Sequence, residues 1–398
     1  MTFHRSAVRT LALSSFLVAF PLQAALAQEV DAVAERLKAV LAGQGIELTW
    51  SGVSGDASEM VISDANFTVT GVPQKTSLGN VTLSEITEEN GAYTIGTVTL
   101  PNYSTTEEGA TVDITGISLT GLKLPAEGDT DPIAALMLYE SADMDSLTVR
   151  MGDKTPFSMN QLHFEITPPA DGKAMEFTGA AEKFTADLSV VDDAESKKTM
   201  EALGYQTING YFELAGSWQP SDGRLELSQY DISIENAGTI GFTFDLGGYT
   251  PDFIKSMQEM QKEMAKQPAG GDNSAQGLAM LGLMQQLTFH SASLRFDDDS
   301  LTGKVLDFIA AQQGVKAADL ANQAKAIVPF LMAQLNNPEL TTQVTAAVSA
   351  YLDEPKSIEV SAEPENAVPF AVIMAGAMSP TPQDLVKTLA VTVTANED

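Results

Sequence analysis

Cysteine is absent from all 398 residues, which removes disulfides, thiolate nucleophiles and cysteine metal sites together. Histidine is nearly as scarce. The chain has three, His4, His163 and His290, too few and too scattered for a histidine zinc site. Basic residues are outnumbered, 22 Lys and Arg against 53 Asp and Glu, for a net charge of −31. Such a surface repels nucleic acid, and also anionic lipid headgroups unless divalent cations intervene, so no nucleic-acid partner is expected. The two tryptophans, Trp50 and Trp218, fall on the apolar side of their strands and read as core. Long hydrophobic runs are missing as well. The most apolar stretch after the first 27 residues, 368–378, has eleven residues, against the roughly 20 that a membrane-spanning helix needs.

Catalytic signatures are similarly sparse. No Gly-x-Ser-x-Gly elbow, P-loop, Gly-x-Gly-x-x-Gly fingerprint or Ser-x-x-Lys set occurs, and each would be needed to place a nucleophile or cradle a phosphate. His163 sits between Leu162 and Phe164, on the polar side with Glu165, and His290 shares parity with Ala292, Leu294 and Phe296; both read as structural. Carboxylates are what remains. Asp192-Asp193 and Asp297-Asp298-Asp299 precede helical segments, where acids favour the positive end of the helix dipole. A loose calcium site at 297–299 is the alternative, but the loop lacks the alternating oxygen ligands of an EF-hand. No catalytic, cofactor-binding or metal-binding residue is expected. A carboxylate-based hydrolase is the enzyme reading left open.

What is present begins at the amino terminus. His4, Arg5 and Arg9 form a basic n-region, 11–20 is apolar, Pro21 breaks it, and Ala25-Leu26-Ala27 offers small residues for cleavage. That is the order of a secretory signal peptide, with cleavage expected after Ala27. Losing Arg5 and Arg9 leaves 20 basic residues against 53 acidic ones, −33 over 371 residues. Without cysteine, a bacterial periplasm fits better than a eukaryotic secretory route.

Two regions follow, 28–250 and 251–398. The first opens with an amphipathic helix (Val33, Leu37, Val40, Leu41), then alternates at period two from Glu47 to about Pro125, the mark of half-buried antiparallel strands. The apolar set changes parity at Gly96, Gly116 and Gly121, which predicts bulges in a long, curved sheet. A helix is expected at 131–141 behind Asp131-Pro132, and another near 193–204. Strands resume at 162–166, 184–190 and in a meander over 207–247. The second region reads as helix-rich with closing strands at 358–362 and 389–393, and with a linker by composition at about 266–277. The fold class expected is therefore α+β: a curved, mostly antiparallel sheet with glycine bulges, helices packed on it, and a helix-rich C-terminal third.

Phe253, Ile254, Met257, Met260 and Met264 fall on one face of a helix opening after Thr250-Pro251-Asp252. With Met332 and Met374 they are the candidate lining for an apolar ligand, since methionine fills irregular space and adapts to variable partners. Core packing explains the same residues.

The leader, the strands ending in Thr-Gly-Ile-Ser-Leu-Thr-Gly-Leu-Lys-Leu-Pro (115–125) and the meander at 207–247 together resemble the AsmA and YdgA type of bacterial envelope protein over about 47–247. The resemblance implies a sheet with an apolar concave face able to shelter acyl chains, and it brings no catalytic residues. Those families keep an amino-terminal anchor, whereas Ala25-Leu26-Ala27 here implies release. Two functions are expected from these readings: a soluble periplasmic carrier for a lipid or other apolar small molecule, or a cell-envelope assembly factor holding a protein partner.

Overall fold

The computed structural model describes residues 29–397 apart from 72–74, 130, 132, 134–137, 170–172, 192, 266–273, 334–335, 380 and 382. The expected leader and cleavage site lie outside the described residues. In chain order a helix over 29–43 (α1) precedes β1 (Ile46–Thr49), β2 (Gly52–Gly55), β3 (Glu59–Val69), β4 (Lys75–Glu89) and β5 (Ala92–Thr99). Next come β6 (Tyr103–Glu107), β7 (Ala110–Thr115), β8 (Ser118–Leu124), β9 (Ser141–Met151), β10 (Lys154–Thr167) and β11 (Met175–Asp187). Helix α2 (Ala194–Leu203) leads into the meander β12 (Thr207–Gln219), β13 (Arg224–Ile234) and β14 (Gly238–Gly247). Helices α3 (Pro251–Ala265) and α4 (Ser274–Met284) precede β15 (Thr288–Asp298). Then follow α5 (Leu301–Gln313), α6 (Ala317–Met332), α7 (Pro338–Asp353), β16 (Ser357–Ala362), β17 (Val368–Pro369), α8 (Phe370–Ala377), α9 (Asp384–Thr388) and β18 (Val391–Ala395).

The fold is mixed α+β, with 18 strands among the described residues in antiparallel hydrogen-bonded pairing. Contacts divide it into two compact units. Among the described residues, the first comprises those up to Tyr103, those of 115–143 and those of 261–267; the second comprises those of 104–114, 144–260 and 268–398.

In the first unit, α1 buries Val30, Val33, Ala34 and Leu37, the i, i+3, i+4, i+7 stripe of an amphipathic helix. That stripe meets Leu48, Met60, Ile62, Ala65, Val81, Leu83, Ile95, Val98, Leu122 and Leu124 in one core. Arg36 ties the helix down by donating to the carbonyls of Gly91 (3.3 Å) and Pro125. The buried set in β5 moves from Ile95 to Val98, three residues on, which is the parity change expected at Gly96. No residue is inserted there, because Ile86 still faces Ile95 and Ser84 faces Thr97. The backbone turns instead through positive φ at Glu85 (+56°) and Gly121 (+63°) on the flanking strands. Gly116, also expected as a bulge, is a corner between β7 and β8 (φ +66°).

The second unit carries long antiparallel pairings, β10 through β16 in sequence and then β18 on β16. Three register shifts interrupt them, near 181–184 in β11, 227–231 in β13 and 289–291 in β15. His290 is the extra residue at the last, so it marks a bulge; parity alone would have aligned it with Ala292. Strand β11 ends at Asp187, and Leu188–Val190 form a 3-10 turn in place of the expected strand continuation, because the Asp187 carboxylate accepts from Ser189 N at 2.9 Å. The helix expected over 131–141 falls largely outside the described residues, and β9 already begins at Ser141. Of the expected linker, 266–273 lies outside the described residues, and Ser274 opens α4. Strand β18 pairs with β16 and, among the described residues, with no strand on its other side. Positive-φ residues bracket it, Ala390 (+49°) and Asn396 (+59°).

Candidate functional site

Alternation in a strand sends successive side chains to opposite faces, and the registers of the second unit line those side chains up across many strands. One row runs Leu162, Ala181, Phe212, Ile232, Ile240, Phe296, Ile358, Ala395. A second runs Phe164, Gly179, Leu214, Tyr230 and resumes beyond the β13 bulge as Phe242, Leu294, Val360, Val393. A third continues Ile166, Phe177, Gly216, Leu227, Phe244, Ala292, Ala362, Val391. No charged residue interrupts any of them. Three pairs set an aromatic beside a glycine in the next strand: Phe164 with Gly179, Phe184 with Gly210 and Phe177 with Gly216. The missing Cβ leaves the room each ring occupies beside its neighbour's backbone.

The opposite face is made of hydroxyls and charges in pairs. Ser233 bonds Thr239 (2.7 Å), Thr243 bonds Ser293 (2.8 Å) and Ser361 bonds Thr392 (2.7 Å). Arg224 forks onto Asp245, and Arg295 reaches Asp297 (3.0 Å) and Glu359 (3.4 Å). Hydrogen bonding to those carboxylates holds both guanidiniums more firmly protonated than usual.

Over β13 to β16, coverage departs from what alternation suggests. On the hydroxyl face Ser233, Asp245 and Ser357 are buried. On the apolar face Leu294 is 54% exposed, Ile240 50% and Val360 44%, and Tyr230 and Phe242 are exposed beside them. Helix α7 closes one border, where Leu340, Ala347 and Val344 pack on Val393, Ile358 and Ala395. The centre, over β13 to β16, stays open. An open apolar face of this kind is the informative surface on a protein, since single exposed side chains are ordinary.

The seven candidates from sequence are dispersed. Phe253 is fully buried and its ring lies 5.5 Å from that of Tyr249, whose carbonyl accepts from the buried Trp218 indole at 2.7 Å. It is a packing residue at the foot of α3. Ile254, Met257 and Met260 are half-buried along that helix, and the side chain of Met264 lies outside the described residues. Met332 packs into the α7 cluster with Leu340, while Met374 is half-buried on α8. The exposed sheet residues were missed because a strand's inward face and its uncovered face look alike in sequence. The one available signal was the strict segregation of apolar from Ser, Thr and Asp positions over β12 to β16.

Two of the acids noted in sequence, Asp193 and Asp298, accept hydrogen bonds at helix starts, and Asp192 lies outside the described residues. Asp193 accepts from Ser196 N (2.7 Å) to start α2, and Asp298 accepts from Thr302 N (2.8 Å) in the first turn of α5. Asp297 is engaged by Arg295. Among the described residues no group of three or more histidines and carboxylates is arranged around a common metal position. Hydrogen bonds from Ser58, Ser189 and Ser196 hold Asp56, Asp187 and Asp193 below the ordinary carboxylate range, which suits turn and cap acceptors rather than general acids. No helix among the described residues is long and apolar enough to cross a membrane.

A protein-family profile described as "Uncharacterized protein" matches residues 231–396, a stretch that opens in β13 and closes just after β18. No curated protein matches the chain.

Proposed function

We propose that the protein is a non-enzymatic periplasmic carrier that holds an apolar ligand, a lipid or fatty acyl compound, on the open face formed by β13 to β16. One observation carries this reading: Leu294 and Val360 stand uncovered in register and Ile240 stands uncovered in the adjoining row, while Ser233, Asp245 and Ser357 on the hydroxyl side of the same strands are buried. The profile match covers β14 to β16, the end of β13 and the helix that borders them. The resemblance of 47–247 to AsmA- and YdgA-type envelope proteins points to the same ligand class.

Magnitudes agree with a carrier. Four strands about 4.8 Å apart and three rows about 6.8 Å apart make a patch roughly 14 Å on each side. Covering about 200 Å² of sheet with an equal area of ligand gives a gross gain of about 10 kcal/mol at 25 cal/mol per Å². Loss of translational and rotational freedom costs about 4 kcal/mol or more, leaving a dissociation constant between millimolar and micromolar. A carrier that must release its ligand needs no more.

The test is direct. The chain is expressed with its own leader in a bacterium, purified from the periplasmic fraction without detergent, and extracted with organic solvent. Mass spectrometry against a mock purification then identifies bound compounds. A stoichiometric lipid supports the proposal and names its class. A protein that is empty, and that also ignores added fatty acid, refutes it and favours the envelope assembly factor. Recovery solely from the cytoplasm refutes the compartment.

A further inference from the structure

Among the positions of the three registered rows, one side chain carries a polar atom. It is Tyr230; every other position is hydrocarbon or glycine. Its ring is held in place, since the ring of Phe212 meets it edge-on at 5.3 Å and 71°. Its hydroxyl makes no hydrogen bond among the described residues, and the residue is 37% exposed. Position gives that hydroxyl its meaning. In the middle row Tyr230, Phe242, Leu294 and Val360 stand exposed on four successive strands, and the next residue, Val393, is buried against Leu340 and Val344 of α7. The open strip therefore has a closed apolar end at α7 and a hydroxyl at the other. From Tyr230 to Val360 it crosses three strand spacings, about 14 Å, the reach of a dodecanoyl chain.

No cation stands on this face. Besides His290, which turns to Thr288 at 3.4 Å, strands β12 to β18 contain two basic side chains, Arg224 and Arg295. Both belong to the hydroxyl face, where carboxylates engage them. Helix α7, which borders the strip, has neither Lys nor Arg. A ligand carboxylate or phosphate laid here would lose water without gaining a counter-ion, in the field of a chain whose net charge is −31. We propose that the ligand of the sheet face is an uncharged acyl ester, its tail toward α7 and its ester carbonyl accepting a hydrogen bond from the Tyr230 hydroxyl. This rests on the reading of the open face as a ligand site and names the class that fits it. Phe212 has already ordered the Tyr230 ring, so the bond costs little side-chain entropy. A free fatty acid lies on the same strip through its alkyl chain, more weakly, with its carboxylate kept out in water.

Displacement of an uncharged solvatochromic dye from the full chain compares methyl dodecanoate, dodecanoate and dodecane at about pH 8, where the acid is ionised. The ester is expected to bind about tenfold or more tighter than the acid anion. Tyr230→Phe should weaken the ester by about three- to tenfold, the loss of one hydrogen bond. The same variant should leave dodecane binding and the urea midpoint unchanged. Dodecanoate that binds as tightly as its ester overturns the uncharged class. An ester affinity unmoved by Tyr230→Phe, or a loss that dodecane shares equally, overturns the anchor. Both failures leave the sheet-face reading standing so long as Leu294→Gln with Val360→Thr weakens all three compounds. If none of the three displaces the dye from the wild type, that reading falls and this proposal with it.

Discussion

Leu294→Gln combined with Val360→Thr probes the open face directly. Each wild-type side chain keeps roughly half of its surface uncovered, 54% and 44%. A ligand can therefore recover about half of the 1.5–3 kcal/mol that full burial of such a side chain provides, about 0.8–1.5 kcal/mol at each position. The new amide and hydroxyl, covered by an alkyl chain without a partner, add about 1 kcal/mol or more of opposing cost. The sum, about 2–4 kcal/mol, corresponds to a loss of affinity of about thirty-fold or more. Stability should fall by less than about 2 kcal/mol, since only about half of each side chain is covered in the folded protein and the new polar groups can reach water. Titration with a fluorescent fatty acid measures the first effect and equilibrium urea unfolding the second. Wild-type affinity in the variant would refute the assignment of the ligand to this face. A loss of 2 kcal/mol or more in stability would refute the premise that these side chains are uncovered.

Three further outcomes are expected. In Gly210→Ala the new methyl would overlap the Ser233 carbonyl and the Phe184 ring, destabilising the sheet by about 1–3 kcal/mol, whereas Gly303→Ala in α5, with open space around the new methyl, should stabilise by up to about 1 kcal/mol; the shift of the urea midpoint distinguishes them. Asn337 N-caps α7 through Leu340 N at 3.1 Å and is itself buried, so Asn337→Ala should cost about 1–2 kcal/mol in the same assay. Burial raises the phenol pKa of Tyr351, whose hydroxyl lies 2.5 Å from that of Thr302. The folded state therefore disfavours the phenolate: the stabilisation is complete below the ordinary tyrosine pKa of about 10 and is lost as pH rises through the folded value. Tyr351→Phe should flatten the fall in thermal stability between about pH 9 and 11, and an unchanged profile would contradict the burial.

The meander of β12 to β14 was legible from sequence because its turns are chemically explicit, Pro220-Ser221-Asp222-Gly223 and Asn236-Ala237-Gly238. Asn337-Pro338 announced α7 equally plainly, an N-cap followed by proline at the first helical position. The β13 bulge was present as a parity change, from Leu225 and Leu227 to Tyr230 and Ile232, and the register shift falls between them. Other features depend on distant residues and left no local trace. Asp187 ends β11 through a side-chain hydrogen bond that no propensity anticipates. The methionine stripe of α3 identified an amphipathic helix correctly, but amphipathicity does not say what covers the stripe, and Phe253 proves to be fully buried. The exposure of Ile240, Leu294 and Val360 was hidden for the converse reason. Their spacing guarantees a shared face, whereas the residues that leave the face open lie elsewhere in the chain.

The short strand β18 makes a poor template for polymerisation. An unpaired strand edge is a template for further strands and hence for fibrils. This edge offers five residues, about 17 Å of template, and the left-handed residues Ala390 and Asn396 bend the backbone out of register at both ends. The side-chain amide of Asn396 is bonded to the Ala350 and Glu354 carbonyls at the end of α7, so the edge cannot lengthen by recruiting the residues beyond it. A newcomer strand would gain only a few ladder bonds before meeting a bend.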